Sequence, residues 1–199
     1  MTYQFQNIRV LVIESTKEMS DLTKSVLSYF GVGEVHTAYG ARAGFDACCK
    51  LHPDLIIIDW LEEPDNGLEL TKLIRNDDRS PNPFVPILMM TGFSQKKRVV
   101  LARDSGITEF LVKPFTAKAL YQKIEHIIEV PRHFVVCDRY FGPDRRRKRD
   151  EHYDGKERRA ERTKVMPYPP ERLALRASAV EKAREIQKRR ADDKKGDDR

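Results

Sequence analysis

The chain has 199 residues, of which 40% are hydrophobic and 34% charged, and a net charge of +6. That length suits one well-buried domain with an appendage, or two very small domains. The charge is unevenly spread. Residues 1–130 hold 15 Lys+Arg and 17 Asp+Glu, a net of −2, while residues 131–199 hold 22 and 14, a net of +8. The first part reads as an ordinary globular domain, and the second as an Arg-rich extension too poor in large apolar residues to build a core alone. The three cysteines, Cys48, Cys49 and Cys137, show no Cys-x-x-Cys spacing. This argues against a disulfide framework or a zinc site and suits a reducing compartment. The start, "MTYQFQNIRV", lacks a basic-then-apolar leader pattern, and no apolar run approaches the ~18 residues of a membrane span. A cytoplasmic protein without membrane contact is expected.

Taken in order, residues 1–130 alternate between two periodicities. Strand-length apolar runs occur at "RVLVIE" (9–14), "EVHTA" (34–38), "DLIIIDW" (54–60), "VPILMMT" (85–91) and "EFLVKP" (109–114). Helical spacing appears between them. Met19, Leu22, Val26, Leu27 and Phe30 follow it, as do Leu120, Ile124, Ile127 and Ile128, and Leu68, Leu70, Leu73 and Ile74 follow it approximately. Gly31 and Gly33 close the first helix, and Pro53 and "NDDRSPNP" (76–83) interrupt others. Ser15 reads as the cap of the first helix in a capping box, "STKE", with Glu18 as its partner. Five strands alternating with five helices predict an α/β fold: a doubly wound, five-stranded parallel sheet with helices on both faces. The uninterrupted apolar strands agree, because a parallel sheet is buried on both sides.

Ligands of such sheets bind beyond the carboxyl ends of the strands. The residues at those ends are Glu14 and Ser15, then Asp59, then Thr91 and Gly92, then Lys113 and Pro114. Together they can accept a phosphoryl group. Asp59 supplies a carboxylate nucleophile. Phosphoryl transfer depends mostly on positioning and charge neutralisation, which Lys113, a hydrogen bond from Thr91 and a divalent cation would provide. Gly92 leaves room for the donor. A haloacid-dehalogenase-type phosphatase would need a second acid two residues after the nucleophile, where Leu61 stands. The five histidines form no cluster, and Trp60 reads as a packing residue that also lines the rim.

Residues from about Arg9 to Glu129 resemble the response-regulator receiver domain, the CheY-like fold. The resemblance rests on "LIIIDW" with Asp59, "DNGLELTKLIR" with Gly67, "PILMMTG" with Thr91 and "FLVKPF" with Lys113, in that order. It implies the strand order 2-1-3-4-5, a phosphoacceptor at Asp59, and a bond preceding Pro114 that is often cis. It further implies Mg²⁺ held by Glu14, Asp59 and the backbone carbonyl of Leu61, and a switch in which Thr91 moves to the phosphate and the aromatic Phe110 turns inward. Partners implied are a histidine kinase or phosphotransfer protein and a downstream protein target. The pattern departs at Ser15, where the family usually has a second metal-binding acid. Glu62 and Glu63 are extra acids that read as a solvated loop.

The expected organisation is a receiver domain over 7–130, a basic linker over 131–170, and a C-terminal helix with a disordered end over 171–199. "FVVCDRYF" (134–141) reads as an extra strand or an extended segment on the domain. A short repeat follows, in which "YFGPDRRR" (140–147) returns as "YDGKERRA" (153–160), each copy Tyr-x-Gly-x-acid-Arg-Arg. No DNA-binding or catalytic output signature is present. The reading is a receiver that signals by protein contact. Two alternatives stand beside it: a pseudo-receiver that works without phosphorylation, and nucleic-acid binding through the basic tail.

Overall fold

Five strands form one parallel sheet: β1 (Arg9–Glu14), β2 (Glu34–Tyr39), β3 (Leu55–Asp59), β4 (Ile87–Thr91) and β5 (Glu109–Val112), in the order β2-β1-β3-β4-β5. In this computed structural model the described residues are 5–60, 67–92, 96–137, 140–145 and 164–166. The five helices between the strands are α1 (Lys17–Tyr29), α2 (Gly40–Leu51), α3 (Gly67–Asn76), α4 (Lys96–Ser105) and α5 (Ala117–Glu129). Each apolar strand feeds both faces. Leu11 and Ile13 of β1 join Phe45, Leu70, Ile74 and Ala102 from α2, α3 and α4. Val10 and Val12 join Leu27 of α1 and Leu120, Ile124 and Ile127 of α5. Because alternate side chains enter opposite cores, the strands read as apolar throughout rather than alternating. Among the described residues no helix is long and apolar enough to cross a membrane.

One expectation about α1 is corrected. Its cap is Thr16, whose carbonyl accepts the Ser20 amide at 3.2 Å, and no side chain caps it. Ser15 is exposed one residue earlier, so no Ser15–Glu18 capping box forms. The turn out of β1 runs one residue longer than the "STKE" pattern implies. The buried face of α1 holds Ser20, Thr23 and Leu27, and Leu22 is 54% exposed. Small residues let the helix lie close on the sheet, which turns Leu22 outward. The expected glycine stop is present. Gly31, at φ +80°, donates to Ser28, and the next amide, Val32, donates to Leu27, so the two satisfy the last carbonyls of α1.

Packing runs on past Val130. "FVVCDRYF" supplies β6 (Phe134–Cys137) and the start of β7 (Tyr140–Pro143), which pair antiparallel, and β8 (Lys164–Met166) adds to the other side of β6. Phe134 and Val135 are buried. The Phe134 ring lies 4.9 Å from Phe84 and 5.5 Å from Phe141, and Phe141 lies 5.1 Å from Phe84. Phe84 belongs to the loop before β4, so this segment covers the amino ends of the strands, opposite the expected site. The apolar residues that this part of the chain lacks for a core of its own come from the domain beneath it. The second repeat copy and residues 171–199 lie outside the described residues.

Candidate functional site

Three strand ends deliver charge to one point. Glu14 closes β1 and is fully buried. Asp59 closes β3 and is partly exposed. Lys113 follows β5, and its amide donates to the Thr91 carbonyl at 2.7 Å, which ties its backbone to the end of β4. The Lys113 Nζ lies 3.2 Å from Glu14 Oε1 and 3.1 Å from Asp59 Oδ1. The Lys113–Pro114 bond is cis. Glu14 and Lys113 are 99 residues apart in sequence, and only the parallel order of β1, β3, β4 and β5 brings them together.

The electrostatics follow from that geometry. Burial first, and then the negative charge of Asp59, push the Glu14 carboxyl up to about 7, against the pull of Lys113. The second Glu14 oxygen, Oε2, is buried and has no hydrogen-bond partner among the described residues. A buried carboxylate oxygen in that state is costly, and a cation would satisfy it. Two carboxylates at one rim fit Mg²⁺, which takes hard oxygen ligands from one or two carboxylates and completes its shell with water. Leu61, whose carbonyl was expected to contribute, lies outside the described residues, as do Glu62 and Glu63.

The other expected residues surround this centre. Thr91 is fully buried at the end of β4, level with Val112 in the ladder and one residue beyond Met90, the partner of Asp59. Gly92 is exposed, and a Cβ there would meet nothing within 4 Å among the described residues. Phe110 pairs with Met89 two residues below Thr91, on the sheet face covered by α2, α3 and α4. Side chains two apart on a strand share a face, so Thr91 and Phe110 lie on the same one. Gly67 has a steric reason: a Cβ there would fall 2.5 Å from the Asp59 carbonyl and 2.7 Å from that of Trp60. Its amide donates to the Trp60 carbonyl at 2.9 Å, which holds the start of α3 against the strand that presents Asp59. The Trp60 amide in turn donates to Asp59 Oδ1 at 2.8 Å.

One site neighbour was not legible. The Arg98 guanidinium of α4 lies 5.4 Å from the centroid of the Trp60 ring. Nothing near "KKRVV" signals this, because the partner is far away in sequence and one arginine in a basic run looks like any other.

Residues 10–125, more than half of the chain, match the family described as "Response regulator receiver domain". The chemotaxis protein CheY1 of Helicobacter pylori is 31% identical over 122 residues, which are 61% of this chain and 97% of that protein. The chemotaxis protein CheY-3 of Vibrio cholerae is 27% identical over 124 residues, 62% of this chain and 94% of its own. Among solved structures, CheY4 of Vibrio cholerae superposes with a TM-score of 0.55 at 27% identity, covering 60% of this chain and 98% of that one. A two-component response regulator from Clostridium difficile reaches 0.56 at 24% identity, covering 62% and 98%, and speaks to the fold alone. The shared part is the five-stranded α/β unit that carries Glu14, Asp59, Thr91 and Lys113, and on that ground this chain belongs to the response-regulator receiver family of two-component signalling proteins.

Proposed function

We propose that the chain is a cytoplasmic phosphoacceptor receiver, phosphorylated on Asp59 by a histidine kinase or phosphotransfer protein. The observation that carries this is the meeting of Glu14, Asp59 and Lys113 at the carboxyl rim, where the Lys113 Nζ lies within 3.2 Å of an oxygen of each carboxylate. An Asp59 carboxylate oxygen attacks the donor phosphorus and forms the new P–O bond. The donor's bond to phosphorus breaks, and its electron pair leaves with the donor. Glu14, Asp59 and the carbonyl of Leu61 would hold Mg²⁺, which would supply charge neutralisation; Ser15 stands where the family has another acid. Lys113 exchanges part of its carboxylate pairing for a phosphate oxygen. Thr91 donates to another oxygen, Gly92 leaves its approach open, and Phe110 moves into the space behind Thr91. The changed face of α4, β5 and α5 then signals to a protein target.

Treatment of the full chain with acetyl phosphate and Mg²⁺, read by intact mass, tests this. One phosphoryl adduct is expected, absent in Asp59→Asn. No adduct, or one that survives Asp59→Asn, overturns the proposal and favours a receiver that acts without phosphorylation.

A further inference from the structure

The extension carries a motif that phosphorylation chemistry leaves unused. In its first copy, "YFGPDR" (140–145), the side chains lock onto one another. The Tyr140 hydroxyl donates to the Pro143 carbonyl at 2.8 Å, which folds the ring back along its own strand. The ring crosses Gly142, where a Cβ would stand 2.7 Å from the Tyr140 oxygen and 3.1 Å from the Gly106 Cα. The Arg145 guanidinium stacks 3.9 Å from the Tyr140 ring centroid and reaches Asp104 at 3.2 Å. Arg132 holds the same turn, donating to the carbonyls of Thr108 and Asp144. The motif is therefore a folded plug seated on the last turn of α4 and the Gly106 turn that follows it.

That seat matters because α4 has little else to hold it. Of its described side chains only Ala102 and Ser105 are buried, and Leu101 is 55% exposed. A helix with so thin an apolar face is among the easier elements to displace. Its two ends are tied to different things. Arg98, near the head, stacks on Trp60, the neighbour of Asp59. Asp104, at the foot, pairs with Arg145 of the extension.

We infer that the Tyr140–Arg145 plug is a latch on the foot of α4, and that phosphorylation of Asp59 loosens it. The inference rests on the phosphoacceptor reading. The ten residues of α4 span about 15 Å at ~1.5 Å per residue and move as a rod. Charge added at Asp59 shifts Trp60 and the head of α4 with it, and the foot leaves Arg145. Coupling between two sites is reciprocal, so weakening the latch must also favour the phosphorylated rim.

Beryllium fluoride with Mg²⁺, which mimics an acyl phosphate on a carboxylate, tests this on the full chain. Trp60, the single tryptophan, reports the rim by fluorescence, and amide hydrogen exchange over residues 134–143 reports the latch. The expected result is a Trp60 response together with faster exchange over 134–143. Arg145→Ala removes an exposed side chain and leaves the aromatic packing intact. It is expected to bind beryllium fluoride roughly two- to five-fold more tightly, the scale of one partly exposed ion pair. A Trp60 response with unchanged or slower exchange, or with unchanged affinity in Arg145→Ala, overturns the latch and leaves the phosphoacceptor reading standing. No Trp60 response and no acetyl phosphate adduct overturns both.

Discussion

At the carboxyl ends of the strands, Glu14, Asp59 and Lys113 meet in a partly open rim where one Glu14 oxygen is buried without a hydrogen-bond partner among the described residues. At the amino ends, Phe84, Phe134 and Phe141 pack ring against ring. There Arg75 donates to the carbonyls of Gly106, Pro83 and Val85 while its guanidinium lies 5.3 Å from the Phe134 ring centroid. One end leaves a carboxylate oxygen without a hydrogen-bond partner among the described residues, and the other pairs its guanidinium with neighbouring carbonyls. The contrast shows a division of labour along one sheet. Apolar burial at the foot stabilises the fold, whereas the rim gathers charges that pair chiefly with one another.

The sharpest way to break the contrast is Phe134→Ala. If the extension is part of the domain, this truncation costs about 3–5 kcal/mol in denaturant unfolding, as for other buried aromatics. A cost near zero would make residues 134–143 an ornament. At the rim, Gly67→Ala is expected to cost about 1–3 kcal/mol, because its Cβ collides with backbone rather than with a yielding side chain. Gly92→Ala, whose Cβ meets nothing among the described residues, should unfold like the parent chain. Equal costs at the two glycines would contradict the geometry of the rim. A smaller effect is expected from Ser15→Asp. Ser15 is exposed and caps nothing, so stability should hold while Mg²⁺ affinity, read by Trp60 fluorescence, rises severalfold. Unchanged affinity would show that position 15 does not reach the metal.

The smallest effect concerns the core between rim and foot. Burial first, and then the neighbouring Cys49, push the Cys48 thiol up to about 11, from an ordinary value of 9.0. The folded chain thus holds this proton more tightly than the unfolded chain. Its contribution to stability is present below about pH 9 and is lost as the pH rises to about 11. At pH 8 a thiol reagent should label Cys48 only as fast as the chain opens. Immediate labelling in the folded protein would place Cys48 nearer the surface than α2 puts it.

Much of this was legible beforehand, for definite reasons. Runs such as "LIIID" announce buried parallel strands because both faces need apolar residues. The strand ends announced Glu14, Asp59, Thr91 and Lys113, because a parallel sheet gathers its carboxyl ends at one rim. The cap of α1 was misread by one residue, since Ser15 and Thr16 are both competent caps and the length of the preceding turn chooses between them. The helical spacing of Met19, Leu22, Val26, Leu27 and Phe30 locates α1, but it does not show that Ser20 and Thr23 are buried while Leu22 faces outward.

The sequence by itself determined the periodicities, and through them the number of strands, their burial and the residues at their ends. These are local properties, readable from neighbours a few positions apart. Tertiary structure decided the rest. It chose which oxygen of Glu14 pairs with Lys113, laid Arg98 over Trp60, and seated Tyr140 and Arg145 on the foot of α4. Such contacts join residues tens of positions apart, and no local pattern selects one arginine or one phenylalanine over another. Only the closed packing of helices on the sheet leaves each of them a single place to go.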